Sequence, residues 1–175
     1  EAVGDGSAAK AEVQELRVIE LADWNTAFRL NPYQFGGGGA AGLMWMRMVG
    51  MNDKFEPVDT PMALAESWEF NEDRTSVTVK LKEGLTFSDG TPITAEEAAW
   101  SLGYLIMTGH PDLKVKFSGS SAPRYWSALK GAQDVFDGKV PADEFGAAMV
   151  EGIKVIDDST IQLDFTQPTM TLTVE

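Results

Sequence analysis

The stretch LAESWEFNEDRTSVTVKLKEGLTFSDGTPITAEEAAWSL, residues 64–102, decides the fold of this chain. Apolar and polar residues alternate over residues 68–70 and again over 77–81, which predicts two strands with one apolar face and one solvent-exposed face. The alternation resumes over residues 85–87 and predicts a third short strand. Polar, turn-forming residues separate these segments, and Asp89-Gly90 turns the chain after the third.

A helix is predicted directly after these strands. Thr94 is a favourable N-cap residue, and Glu97 stands three positions later, where it completes a capping box. Trp68 and Trp100 are assigned to the core, because we interpret both as lying at core-facing positions. Other apolar residues recur at helical spacing, which predicts one buried face: Ala95, Ala98, Leu102, Leu105 and Ile106.

The composition argues against several classes of function. The formal net charge is −13, from 27 acidic and 14 basic residues, which disfavours binding to nucleic acid or to an anionic membrane surface. The sequence has no cysteine, so it offers neither disulfides nor thiolate metal ligands. The single histidine, His110, precedes a proline and is interpreted as a loop residue rather than a metal ligand. No apolar run approaches the roughly 20 residues of a membrane-spanning helix.

The sequence lacks the signatures of several common catalytic and nucleotide-binding sites. It lacks the Gly-x-Ser-x-Gly motif of a serine hydrolase. Asp157-Asp158 is interpreted as part of a turn rather than as the carboxylate pair of a glycosidase. The four glycines at 36–39 lack the following Lys-Ser/Thr of a phosphate-binding loop. We therefore expect a protein that is not an enzyme, with no catalytic residues, no metal and no cofactor.

Residues 64–102 also resemble the signature of the family 5 solute-binding proteins of ABC importers, which bind oligopeptides, dipeptides, nickel chelates and some oligosaccharides. Members typically read LAeSWe, a polar turn, a strand, and then L-(R/K)-x-G-(V/L)-x-F-x-D-G-x-P-(L/I/F)-T-A-x-D-V. The chain departs from this pattern mildly, at Lys82, where arginine is usual, and at Glu97-Ala98, where Asp-Val is usual. The matching positions are Leu64 to Trp68, Leu81, Gly84, Phe87, Asp89-Gly90, Pro92 and Thr94-Ala95.

Two further segments resemble the same family. KGAQDVFDGK at 130–139 is similar to its K-G-A-x-x-x-x-x-G-K segment, and GIKVIDDSTIQLDF at 152–165 is similar to a hairpin that closes in a proline, here Pro168. Lys54-Phe55-Glu56-Pro57 resembles a short hairpin before the signature. From the residues themselves we predict helices over 43–49, 125–136 and 142–150, the middle one ending at Gly138.

The resemblance implies an α/β protein of the periplasmic-binding-protein-like type II (cluster C) fold, incomplete here, whose small domain is α+β. Four regions are expected along the chain: a flexible leader or tether (1–15), the start of lobe I with the first strand and the cleft loop (16–40), an extra small domain (41–168) and the start of the return to lobe I (169–175). Lobe II is expected to lie outside the chain.

The first loop of the family lies by the ligand cleft, which makes Trp24, Asn25 and Tyr33 the candidate ligand-binding residues. Packing at the hinge and turn formation are the alternative roles for these side chains.

The resemblance implies the substrate-binding component of an ABC transporter. It would capture an extracytoplasmic solute, an oligopeptide or dipeptide, and deliver it to the membrane subunits of a permease. The implied protein is a monomer at full length, periplasmic or on the cell surface, and lipid-anchored if an upstream cysteine carries a lipid. An oligosaccharide ligand, or a surface scaffold without transport, stays open as an alternative.

Overall fold

The structure is a computed structural model that describes residues 46–51, 57–113, 120, 122–143 and 150–169. The predicted leader (1–15) and the predicted start of lobe I, with its first strand and cleft loop (16–40), lie outside these residues. The elements, in chain order, are β1 (Gly50–Met51), β2 (Pro57–Val58), β3 (Ala65–Phe70), β4 (Ser76–Leu81), α1 (Ala95–Met107), a 3₁₀ turn (Pro111–Leu113), α2 (Ala122–Trp126), α3 (Ala132–Phe136), β5 (Ile153–Asp157) and β6 (Thr160–Asp164).

A four-stranded antiparallel sheet in the order β3-β4-β6-β5 forms the centre of the described fold. One row of paired residues crosses it from Trp68 through Val79 and Ile161 to Val155. Val79 and Ile161, on the two inner strands, are fully buried, whereas Val155, on an edge strand, is 45% exposed. The strands predicted over 68–70 and 77–81 and the hairpin predicted over 152–165 are therefore confirmed.

Helix α1 packs against β5 and β6 and begins as its sequence predicts. Thr94 is the N-cap: its backbone N–H donates to the Glu97 carboxylate at 2.9 Å, and its hydroxyl accepts from the backbone N–H of Glu96 at 3.3 Å. The backbone N–H of Ala95 donates to the Asp158 carbonyl at 2.8 Å. These contacts satisfy donors that a helix N-terminus otherwise leaves unpaired, so the capping box is confirmed.

The predicted third strand at 85–87 is wrong. Its segment forms a narrow hairpin of its own, joined by a single bridge between Thr86 and Pro92 and by a bond from the Phe87 N–H to the Thr91 carbonyl. Gly90 has φ of +89° and the Asp89 carboxylate accepts the Thr91 N–H at 2.9 Å. This turn folds the segment back on itself before it can pair with the main sheet.

The helix predicted over 125–136 is two short helices, α2 and α3. Gly131 is the N-cap of α3 and has φ of +80°, a left-handed conformation that favours glycine and that a continuous helix could not contain. The intervening Leu129 forms a bridge to Phe165 instead, and the Lys130 N–H donates to the Asp164 carbonyl at 3.0 Å. The end of β6 therefore takes the backbone groups that a continuous helix would have used.

The helix predicted over 43–49 is wrong where the structure describes it. Arg47 pairs with Ala63 in a parallel bridge, and its carbonyl accepts the Leu64 N–H at 2.8 Å. Strands β1 and β2 then pair antiparallel, in agreement with a short hairpin before the signature. The helix predicted over 142–150 falls largely on residues 144–149, which lie outside the described part.

His110 lies in the turn after α1, as expected, but only 1% of it is exposed. Its Nδ1 accepts the Asp112 N–H at 3.1 Å, and its Nε2 lies 2.8 Å from the Val140 carbonyl oxygen. An imidazole that accepts at Nδ1 donates from Nε2. The Nε2 contact thereby joins the end of α1 to the segment that follows α3, and the Nδ1 bond holds the turn in which His110 lies.

Candidate functional site

The three predicted ligand-binding residues, Trp24, Asn25 and Tyr33, lie outside the described residues. Their arrangement therefore stays a prediction. The candidate site in the described part of the chain is a surface on α1 that the sequence pattern did not identify.

Trp100 is 48% exposed, so its assignment to the core is wrong. The Trp100 ring stacks on that of Tyr104, with 5.3 Å between the ring centroids and 25° between the planes. The buried stripe of α1 contains Ala98, Leu102 and Ile106, and at about 100° per residue position 100 falls on the opposite side. The spacing alone was thus enough to place Trp100 on the surface. Trp68, on the edge strand β3, is half-buried and packs against the core.

Two acidic residues in the first turn of α1 have different roles. The Glu97 carboxylate accepts hydrogen bonds from the Thr94 hydroxyl and from the Thr94 backbone N–H, and these bonds lower the pKa of Glu97. Glu96 is exposed and stands one turn before Trp100. Residues four apart lie on one side of a helix, so Glu96, Trp100 and Tyr104 form one row along α1, which we name the aromatic ridge.

A polar cluster around Asp164 lies on the sheet face opposite α1 and joins three strands. Asp164, 6% exposed, accepts from the Lys154 ammonium at 2.5 Å and from the Gln162 amide at 2.8 Å, and Ser76 also bonds to it. Burial acts to raise the pKa of Asp164, but these hydrogen bonds outweigh it and leave the pKa below its ordinary value. A carboxylate with these partners is a structural acceptor and is poorly suited to act as a general acid.

Asp164→Asn is expected to lower the free energy of unfolding at pH 7 by about 1–3 kcal/mol, because the neutral amide loses the charge-assisted bonds to Lys154 and Gln162. The folded-state pKa of Asp164 is lowered. The carboxylate therefore stabilises the fold above the pKa of the unfolded state, and this contribution is lost as the pH falls through the folded-state pKa.

Urea unfolding of both proteins at pH 7 and at acid pH measures this effect. The difference between wild type and variant should close in acid. A difference of equal size at both pH values would show that the Asp164 charge contributes nothing.

A turn between β5 and β6 is confirmed at Asp158-Ser159, and Asp157, the last residue of β5, pairs with Thr160 across it. The Asp157 carboxylate accepts the Ser159 N–H at 2.8 Å and the Ser159 hydroxyl at 3.0 Å. Across the described ranges, no group of three or more His, Asp or Glu side chains is placed to hold a metal ion. In the same ranges no helix is long and apolar enough to cross a membrane.

The model of the bacterial extracellular solute-binding proteins, family 5 (Middle), matches residues 60–174. The chain belongs to this family. The matched residues include α1 and the four-stranded sheet with its β5–β6 hairpin, so the resemblance seen in the sequence is confirmed. The matched family is one of binding proteins rather than enzymes.

The chain is also similar to individual proteins. The periplasmic oligopeptide-binding protein OppA of Escherichia coli strain K12 is 29% identical over 105 residues, which cover 60% of this chain and 17% of that protein. The E. coli murein tripeptide binding protein MppA has a TM-score of 0.59 at 23% identity, covering 80% of this chain and 25% of that structure. Haemophilus influenzae OppA, solved in complex with RPPGFSPFR, has a TM-score of 0.58 at 21% identity, with the same coverage.

These structural likenesses confirm the fold class, a mixed α/β chain of the type II periplasmic-binding-protein fold, represented in part. The family 5 chain spans about a sixth of the length of its OppA relative and about a quarter of the similar structures.

Proposed function

We propose that this family 5 chain is part of the substrate-binding component of an ABC importer, and that its solute is an oligopeptide or dipeptide. The observation that carries the proposal is the family match over residues 60–174, together with relatives whose names specify oligopeptides or a murein tripeptide. The location proposed with it is periplasmic or on the outer side of a cell membrane.

In the proposed mechanism, two lobes close around the peptide and exclude water, and the closed form docks on the permease. The peptide shifts the equilibrium towards closure by no more than its difference in affinity for the closed and open states. Residues 41–168 are proposed as the extra domain and residues 16–40 as the start of lobe I. Trp24, Asn25 and Tyr33 would then contact the ligand.

Peptide binding is expected to raise the melting temperature of the full-length polypeptide that contains this chain. A ligand that binds only the folded state, present at 100 times its Kd, stabilises that state by about 2.7 kcal/mol. The measurement is a thermal-unfolding series with short peptides of increasing length and with maltooligosaccharides as the matched sugar panel.

Variants at the proposed cleft locate the site. Tyr33→Ala and Trp24→Ala should weaken peptide binding about tenfold or more, the loss expected when an aromatic anchor is truncated. Tyr125→Ala, an exposed aromatic on α2, is the control and should leave peptide affinity unchanged. A shift with sugars alone would replace the peptide by an oligosaccharide, and no shift with either panel would overturn the transport proposal in favour of a scaffold.

A further inference from the structure

The turn between β3 and β4 contains an arginine in a backbone conformation that favours glycine. Arg74 has φ of +57° and, within the described ranges, is the only residue other than glycine with a positive φ. The left-handed region is unfavourable for a residue with a Cβ, because the Cβ crowds the following carbonyl oxygen. Such a conformation persists only where surrounding contacts enforce it, and it is concentrated at functional positions. The side chain of Arg74 is therefore a candidate for a specific role.

The shape of this turn is set by hydrogen bonds that do not involve the Arg74 side chain. The Arg74 N–H donates to the Asn71 carbonyl at 3.0 Å, and the Asn71 side-chain oxygen accepts the Ser76 N–H at 2.9 Å. The Asp73 carboxylate accepts the Thr75 hydroxyl at 2.6 Å and the Thr75 N–H at 3.2 Å. The contacts of the Arg74 side chain therefore serve another purpose than forming the turn.

The Arg74 side chain reaches a residue 95 positions later in the chain. Its Nε donates to the Thr169 carbonyl at 3.0 Å, and the Thr169 N–H donates to the Arg74 carbonyl at 2.9 Å. The Arg74 guanidinium carbon also lies 4.3 Å from the centroid of the Phe70 ring, which restricts the conformation of the side chain. We name the two hydrogen bonds between Arg74 and Thr169 the exit contact.

The exit contact lies at the outer end of the segment that follows β6. The first two residues after this strand are joined to neighbouring parts of the fold. The Phe165 N–H donates to the Thr75 carbonyl at 2.7 Å, and the Thr166 N–H donates to the Ala128 carbonyl at 2.8 Å. Thr169 then brings the chain back to the β3–β4 turn, one residue before the position to which Phe165 bonds.

The segment between these contacts buries little surface. Residues 166–168 are exposed, and Thr169 is half-buried. Pro168 has no backbone N–H to donate. Segments with few buried contacts open locally at a lower free energy than core strands. We therefore expect Thr169 to detach from the turn more readily than Phe165, which is only 6% exposed.

We propose that Arg74 is a positioning residue for the chain where it leaves the sheet. The exit contact fixes Thr169 on the β3–β4 turn, and it opens while the sheet stays folded. In the domain division expected from the sequence, the chain continues from here into lobe I through residues 169–175. The exit contact would then fix the start of that return, and this consequence alone rests on the proposed function.

Amide hydrogen exchange in the full-length polypeptide, resolved by NMR for single residues, tests the exit contact. Arg74→Gly removes the side chain and suits a positive φ. Arg74→Asn also tolerates this conformation, has too short a side chain to replace the arginine, and controls for the added flexibility of glycine. In both variants the protection of the Thr169 amide should fall about fivefold, the change expected for the net loss of one hydrogen bond. The protection of the Phe165 amide should stay unchanged.

Arg124→Ala is the matched control. The guanidinium carbon of Arg124 also lies near an aromatic ring, 5.3 Å from the centroid of Tyr125, and it takes no part in the exit contact. This variant should leave the protection of Thr169 unchanged. Equal losses at Thr169 and Phe165 in the Arg74 variants would show that the arginine supports the whole sheet, and an unchanged Thr169 would show that its side chain does not hold the exit. Either result would overturn the proposal.

The exit contact and the proposed peptide binding can fail separately, because the exchange measurement is made without peptide. A protein that binds no peptide but loses protection at Thr169 in Arg74→Gly would remove the transport proposal and support the role of Arg74. A protein that peptides stabilise, but whose Thr169 protection does not depend on Arg74, would remove that role and leave the transport proposal in place.

Discussion

Leu163→Ala is expected to lower the free energy of unfolding by about 2–5 kcal/mol, the range for removing a large buried aliphatic side chain and leaving a cavity. Leu163 lies on β6, an inner strand, paired with Val77 on one side and Ile153 on the other. Only 1% of its surface is exposed. With neighbouring strands on both sides, the site has little freedom to collapse around the missing atoms.

Val155→Ala is the matched control, because Val155 lies in the same hairpin but on the edge strand and is 45% exposed. Its expected cost is below about 1 kcal/mol, since little apolar surface leaves the core. Urea unfolding of both variants, followed by circular dichroism, gives the comparison. Equal costs at the two positions would contradict the assignment of β6 to the centre of the sheet.

Gly152→Ala is expected to destabilise the fold by about 1–3 kcal/mol or more, the cost of forcing atoms into a filled space. A Cβ at this position would lie 2.6 Å from the Asp164 carbonyl oxygen and 2.8 Å from the Lys130 backbone nitrogen. Both neighbours are backbone atoms that hydrogen-bond to each other, because the Lys130 N–H donates to the Asp164 carbonyl at 3.0 Å. The same segments are also joined by the Gly152 N–H, which donates to the Lys130 carbonyl at 2.9 Å, and by the Asp164 N–H, which donates to the Gly152 carbonyl at 2.8 Å. Neither can move without breaking a bond.

Gly84→Ala separates crowding from backbone preference. A Cβ at Gly84 would meet no atom within 4 Å, but this residue has φ of +70°. Its expected cost is therefore only the left-handed penalty, about 1 kcal/mol. Thermal unfolding of both variants measures the difference. A smaller loss in Gly152→Ala than in Gly84→Ala would show that the three backbone segments around Gly152 are not held together as described.

The sequence predicted those elements whose signals are local. Strand β4 alternates cleanly because its two faces meet different environments, and its apolar positions, Val77, Val79 and Leu81, are all buried. The start of α1 was predictable because Thr94 and Glu97 contact each other within one helical turn. The turn between β5 and β6 follows from Asp157, whose carboxylate bonds two residues ahead.

Tertiary contacts decided the elements that the sequence did not predict. Residues 128–130, Ala-Leu-Lys, are good helix formers, but the end of β6 competes for their backbone groups. Gly131 was the local signal against a continuous helix. The alternation at Leu85 and Phe87 is real, yet the turn at Asp89-Gly90 pairs the segment with itself. The exposure of Trp100 was missed for a different reason, since its position on the helix was interpreted as core-facing although the helical spacing places it opposite the buried stripe.

The strand order also determines when the strands can pair during synthesis on the ribosome. Strand β4 is made early, but its inner neighbour β6 arrives about eighty residues later, as the pairing of Val79 with Ile161 requires. At about 5–20 residues per second, a ribosome needs roughly 4–16 s to cover that interval. Until then one edge of β4 has no partner strand. The backbone N–H of Ala95 likewise lacks its acceptor, the Asp158 carbonyl. The described sheet therefore cannot be completed until the β5–β6 hairpin has been synthesised.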